Sequence, residues 1–297
     1  MSMKNFIALF VFLITLISCE EVVNLDLPSG QTRLVIEASI QKIVFEDSAG
    51  NQPVEGDDVL VEISQTTDFN DLEPAFINDA VVSITDLTNG VVYPLENFSD
   101  WGEYGLLNPI DFVVQDDVEY LLRVEYDGEV FEATETLNVS TPINNIEQFK
   151  NTNSNTISGL KIGVSFTDLE EPDNFYIVSF DDFDFITIDD EFLDNSNPFN
   201  LEYFYDEELD IEETKDITIS VWGSDREFST FIDAISELVD GGQNGPFSTV
   251  PFQIRGNIVN TTNSDNFPFG YFRIHETYSK QVTLISNDLA PEEEEEN

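Results

Sequence analysis

The stretch Arg33-Leu34-Val35-Ile36-Glu37-Ala38-Ser39-Ile40 decides the fold class, because Leu34, Ile36, Ala38 and Ile40 recur at every second residue. A period of two places those side chains on one face of an extended strand, whereas a helix needs spacings of three and four. Val59, Val61 and Ile63 repeat the pattern. Further on, Ala80 to Asp86 and Val91 to Leu95 flank Thr88-Asn89-Gly90, and Tyr120 to Tyr126 and Glu129 to Leu137 flank Asp127-Gly128. Asn-Gly and Asp-Gly supply the positive φ angles of tight hairpins. Short strands with turns between them predict an immunoglobulin-like β-sandwich over residues 30–141, ending near Ser140-Thr141-Pro142, where a proline stops the strand.

Residues 142–289 continue the β signal and add one helix. Ile217, Ile219 and Val221 alternate with Thr218, Ser220 and Trp222. Ser224-Asp225-Arg226-Glu227 then reads as a capping box, in which the Ser224 hydroxyl and the Glu227 carboxylate each satisfy a backbone N–H. Phe228, Phe231, Ile232, Ile235 and Leu238 share one helical face before Gly241-Gly242, which predicts a helix near 225–239 with its aromatic stripe in the core. The chain is therefore expected to be mostly β: an N-terminal immunoglobulin-like sandwich plus a second β-rich domain carrying one amphipathic helix. Pro291 and the glutamates after it predict an acidic, disordered tail over 290–297.

At the other end, Lys4, the apolar run Phe6 to Ile17 and Ser18-Cys19 have the three-part layout of a secretory signal. The run is too short to cross a bilayer, which takes roughly 20 helical residues. Cys19, the single cysteine, stands at the expected cleavage point behind Leu16-Ile17-Ser18. This pattern resembles a lipobox. Residues 1–18 are thus expected to be removed, Cys19 to become a lipidated N-terminus, and 19–29 to form the anchor segment. Acyl chains hold such a terminus with about 0.8 kcal/mol per buried methylene. One cysteine also leaves no internal disulfide. Glu20 and Glu21 resemble the acidic export signal of Bacteroidota lipoproteins bound for the outer face of the outer membrane, and Asp47-Ser48-Ala49 matches the short O-glycosylation sequon of such proteins.

The 297 residues carry 60 Asp and Glu against 11 Lys and Arg, a formal net charge of −49. Such a field repels nucleic acid and anionic lipid alike, so membrane contact calls for a covalent or protein anchor. The acidity is read as a solubility adaptation spread over the surface, and the 41% hydrophobic share is enough for substantial cores.

Catalytic chemistry finds little to use. A Ser-His triad would have to employ His275, the only histidine, and no G-x-S-x-G turn presents a serine. Zinc needs clusters of Cys and His. Asp240-Gly241-Gly242-Gln243-Asn244-Gly245 lacks the Lys-Ser/Thr ending of a phosphate-binding loop and follows a helix instead of preceding one. With 60 acids some carboxylate pair always lies at a glycosidase-like distance, so that signal has no specificity. One constellation remains: Asp181, Asp182, Asp184, Asp189, Asp190 and Glu191, followed by Asp206, Glu207, Glu208 and Asp210. Asp182, Asp184, Asp189 and Asp190 are weak candidates for Ca²⁺, but the EF-hand order with its glycine is missing. Phe183 and Phe185 alternate with Asp182 and Asp184, so a half-buried edge strand with a solvated acidic face accounts for the same residues. No catalytic, cofactor or metal residue is assigned, and no cofactor is expected.

Three features stand in a telling order: the Cys19 anchor; Val22-Val23-Asn24-Leu25-Asp26-Leu27-Pro28 followed by Arg33 to Ala38; and Gly245-Pro246-Phe247 through Gly256-Asn257-Ile258 to Gly270-Tyr271-Phe272. Together they resemble the domain-of-unknown-function 4249 family of Bacteroidota lipoproteins, over most of the chain beyond Cys19. The resemblance implies a two-domain, mostly-β protein on the cell surface and a TonB-dependent outer-membrane receptor as partner. It supplies no catalytic residues. Read physically, Gly256 and Gly270 suit bulges or close backbone approach, and Tyr271 and Phe272 suit a core strand. The leading expectation is a non-enzymatic, lipid-anchored accessory of nutrient uptake. A cation-dependent adhesion or structural module using residues 181–213 is the alternative, and a carboxylate-based surface hydrolase the third reading.

Overall fold

The computed structural model describes residues 31–47, 53–67, 74–107, 112–152, 159–170, 174–181, 184–189, 193, 197–206, 209–240 and 253–292. Cys19, the opening Val22 to Pro28, Ser48, Asp182, Phe183, Asp190, Glu191, Glu207, Glu208, the segment Gly241 to Phe247 and the last five residues lie outside the described residues.

The chain is mostly β. In the first half run β1 (Leu34–Glu46), β2 (Val54–Gln65), β3 (Ala75–Phe76), β4 (Val81–Asp86), β5 (Val91–Asn97), β6 (Glu103–Gly105), β7 (Tyr120–Tyr126) and β8 (Glu129–Glu135). The expected alternation holds, for Leu34, Ile36, Ala38 and Ile40 are all buried, as are Val59, Val61 and Ile63. Both hairpins form where Asn-Gly and Asp-Gly predict them: Gly90 has φ 68°, and Asp127 and Gly128 have φ 49° and 78°. Asp86 closes the first turn by accepting the backbone N–H of Thr88 and of Asn89 on Oδ1, each at 2.8 Å.

β1 and β2 face β4, β7 and β8 across one core that holds Ile36, Ile40, Val61, Ile84, Leu122 and Phe131. β5 turns the corner between these layers, pairing with β4 over Val91 to Leu95 and with β6 over Glu96 and Asn97. This is a sandwich in the packing sense.

The second half adds β9 (Ile143–Phe149), β10 (Leu160–Thr167), β11 (Phe175–Phe180), β12 (Asp184–Ile188), β13 (Pro198–Tyr205), β14 (Thr214–Ser224), α1 (Arg226–Asp240), β15 (Val259–Asn260) and β16 (Phe272–Ile285). β13, β10 and β9 form a three-stranded sheet, while the other strands join a 13-stranded sheet. A second core lies between them, built from Ile162, Val164 and Phe166 on one side and Tyr176, Val178, Ile219 and Val221 on the other. β11 is buried on both faces because α1 lies over its other side, where Ile177 meets Trp222 and Phe228.

β16 joins the two halves. It pairs in parallel with β1, from Ala38 opposite Phe272 to Glu46 opposite Lys280, and antiparallel with β14. Its Phe272 and Ile274 fill the first core and its Leu284 the second.

Two helix expectations need correction. The N-cap is Asp225, whose Oδ1 accepts the N–H of Phe228 at 2.6 Å, while Ser224 turns its hydroxyl to Ser229 at 3.0 Å. The helix starts one residue later than the capping box requires, so the aspartate occupies the position where a side-chain oxygen reaches the third helical N–H. The aromatic stripe is core only in its first half. Phe228 is buried, but Ile235 and Leu238 are 38% and 46% exposed. At the C-terminus, Ala290 is buried and the Pro291 carbonyl accepts the N–H of Lys150 at 2.7 Å, so the chain is held at least that far.

Candidate functional site

Four separated pieces of chain meet beside the first turns of α1: Glu135 at the end of β8, Asp225 to Ala234 of the helix and its cap, Gln253 to Asn257, and Tyr271 just before β16. They line an open cavity of about 720 Å³. Phe231, Ala234, Ile254 and Tyr271 supply its apolar surface, and the acids Glu135, Asp225 and Glu227 share the lining with Arg226 and Arg255. A concave, mainly apolar space with a few convergent polar groups is the ordinary form of a small-molecule site.

Two glycines make the convergence possible. A Cβ on Gly256 would stand 1.8 Å from the Gly270 carbonyl oxygen, and one on Gly270 would stand 2.0 Å from that of Ile36. Gly270 also has φ 96°, a conformation that L side chains rarely adopt. The expected close backbone approach is thus present, and it stacks the 256 and 270 segments against β1.

Asn257 then replaces a strand: its Oδ1 accepts the Phe272 N–H at 2.9 Å, and its Nδ2 donates to the Phe272 carbonyl at 2.8 Å. The same amide donates to Glu135 Oε1 at 2.7 Å, which fixes that carboxyl at the cavity wall. Burial raises the Glu135 pKa, the charge of Asp225 raises it further, and it reaches about 7 despite the Asn257 bond. Tyr271 packs its ring 5.0 Å from both Phe228 and Phe231. Burial, then the charges of Asp225 and Glu135, push its hydroxyl titration upward.

The acids singled out from sequence are placed differently. Asp181 accepts the Tyr205 hydroxyl at 2.7 Å and the Thr218 N–H at 2.8 Å, and Asp184 accepts the Tyr203 hydroxyl at 2.5 Å. β12, which carries Asp184, is the terminal strand of the large sheet, in keeping with the edge-strand reading. Asp189 follows β12, and Asp182 and Asp190 lie outside the described residues. Among the described residues, no three His, Cys, Asp or Glu side chains gather into a metal-holding group.

His275 is buried 5.1 Å from the Trp222 ring, with neither ring nitrogen hydrogen-bonded among the described residues. Burial, then Arg273, holds its imidazole well below its ordinary pKa. It does not line the cavity.

Sequence reasoning missed Glu135, Asp225, Phe231 and Arg255 as a group because they come from three separate segments. The usable signal was the pair Gly256-Asn257-Ile258 and Gly270-Tyr271-Phe272. These residues were read as structural; they are that, and Gly256, Asn257 and Tyr271 also line the cavity.

No curated protein matches the chain in sequence. The profile of one family matches residues 20–281, nearly the whole chain. The elements that build the cavity fall within that match, and the chain belongs to the family described as Domain of unknown function (DUF4249).

Proposed function

We propose that this protein is a non-enzymatic, surface-exposed outer-membrane lipoprotein, anchored through Cys19, that captures a ligand in the α1 cavity on behalf of a TonB-dependent receptor. The observation that carries the reading is the cavity itself, which Glu135, α1, Gln253 to Asn257 and Tyr271, all within the family match, converge to form. Apolar walls with few polar groups suit capture, because burying ligand surface supplies affinity and a small number of hydrogen bonds supplies selectivity. The sole histidine, buried away from the cavity, adds no general base there. The cation-dependent alternative draws little support from Asp181 and Asp184, each of which gives one carboxylate oxygen to a tyrosine hydroxyl.

The test is affinity purification of the chain from gently solubilised outer membrane of the native cell, followed by mass spectrometry. A TonB-dependent receptor in near-equal amount is the expected result. Recovery of the lipidated chain alone removes the receptor, and an unlipidated chain in the medium removes the anchor.

A further inference from the structure

Tyr271 is the most deeply set polar side chain in the cavity wall. The residue is 5% exposed, while its hydroxyl, without a hydrogen-bond partner among the described residues, is not itself enclosed and stays open to the cavity. An unpaired hydroxyl at the cavity wall offers a ligand both a donor and an acceptor. The charges that act on this hydroxyl are those of Asp225, Glu135 and Glu227, with no cation among them.

The two arginines of the lining do not neutralise this end. The Arg226 guanidinium lies 4.8 Å from the ring centroid of Phe175 and that of Arg255 lies 3.4 Å from that of Phe267, and neither ring belongs to the cavity wall. The apolar Phe231, Ala234 and Ile254 line the same cavity as the acids. At long range, a chain with net charge −49 concentrates cations around itself and repels anions. An anionic ligand would meet repulsion both on approach and at Glu135, Asp225 and Glu227. A protonated amine meets attraction at each stage, donates to the Tyr271 oxygen and to the carboxyls, and gains from the faces of Tyr271 and Phe231.

Building on the ligand-capture reading above, we infer that the α1 cavity takes an amine with an apolar body, its ammonium group seated among Tyr271, Glu135, Asp225 and Glu227 and its body on Phe231, Ala234 and Ile254. Arg226 and Arg255 stay outside this pairing, their guanidinium groups held against Phe175 and Phe267.

The experiment is isothermal titration calorimetry of the purified full chain with tryptamine and, separately, with indole-3-propionate, which share a ring and a two-carbon arm and differ in the sign of their charge. Tryptamine is expected to bind at least about tenfold more tightly, a difference of about 1.4 kcal/mol. Glu135→Gln, which keeps shape and the bond to Asn257, should lose about tenfold for tryptamine and leave indole-3-propionate unweakened. Equal affinities, a preference for the carboxylate, or no heat from tryptamine overturns the inference. The comparison on the unaltered chain decides this even if the variant folds poorly. A chain that copurifies with a receptor but shows no amine preference sinks this inference alone. Amine preference without a receptor sinks only the uptake partnership.

Discussion

At the residue scale, two kinds of position dominate: glycines that allow backbones to touch and carboxyls held where charge is costly. Gly270 needs both its positive φ and its missing side chain, since a Cβ would meet the Ile36 carbonyl at 2.0 Å. Gly90 has φ 68° but open space around it. Gly270→Ala should therefore cost about 3 kcal/mol or more, against about 1 kcal/mol for Gly90→Ala, with urea midpoints as the measurement. Equal losses would mean that the contact with β1 relaxes easily. Glu135 makes a prediction of opposite kind. Its pKa rises from 4.5 in the unfolded chain to about 7 in the folded one, so between those values the native state holds the extra proton. Its contribution favours folding below pH 4.5 and is lost as pH climbs through 7, about 3 kcal/mol in all. Glu135→Gln should raise the melting temperature relative to the parent at pH 8 and leave it nearly unchanged at pH 4.5, as thermal melts at the two pH values would show.

At the element scale, α1 serves the sheet with its first turns and the cavity with its flank. Phe228 seats the helix on Ile177, Trp222 and Tyr271, and Asp225 starts it. Asp225→Ala should cost about 1 kcal/mol through loss of the cap. It should also move Glu135 back toward an ordinary carboxyl, because Asp225 is the strongest charge raising it. The Glu135→Gln effect at pH 8 should then shrink in the Asp225→Ala background, a coupling that a double-mutant cycle measures. The capping motif could be read from sequence to within one residue. Which of Ser224 and Asp225 caps could not, because that depends on where β14 releases the chain, and β14 is held to Ser224 by pairing with Phe175.

At the scale of the whole molecule, β16 is the element through which the two cores communicate. Its parallel pairing with β1 buries Phe272 and Ile274 among first-half residues, and Ile258 joins them there. The full chain should unfold in a single calorimetric transition, whereas a fragment ending at Thr141 should lack near-ultraviolet circular dichroism, having lost these side chains and the partner of β1. Two separate transitions, or a folded fragment, would show that the first core closes without the C-terminal strand.

What the sequence determined by itself is what depends on near neighbours. The period of two in Leu34 to Ile40 and Val59 to Ile63, the hairpins at Asn89-Gly90 and Asp127-Gly128, and one helix after β14 are written in local patterns, since strands, turns and helices form from spacings of two to four residues. Even the need for close approach at Gly256 and Gly270 was readable. What only the tertiary structure decided are the partners across the chain: β1 beside β16, Asn257 bonded to Glu135, Tyr271 beneath α1, and Asp181 and Asp184 bonded to the hydroxyls of Tyr205 and Tyr203. These pairs are separated by up to hundreds of residues, and no local period encodes them; they arise because each buried face and each polar group must find its complement once the strands are laid side by side.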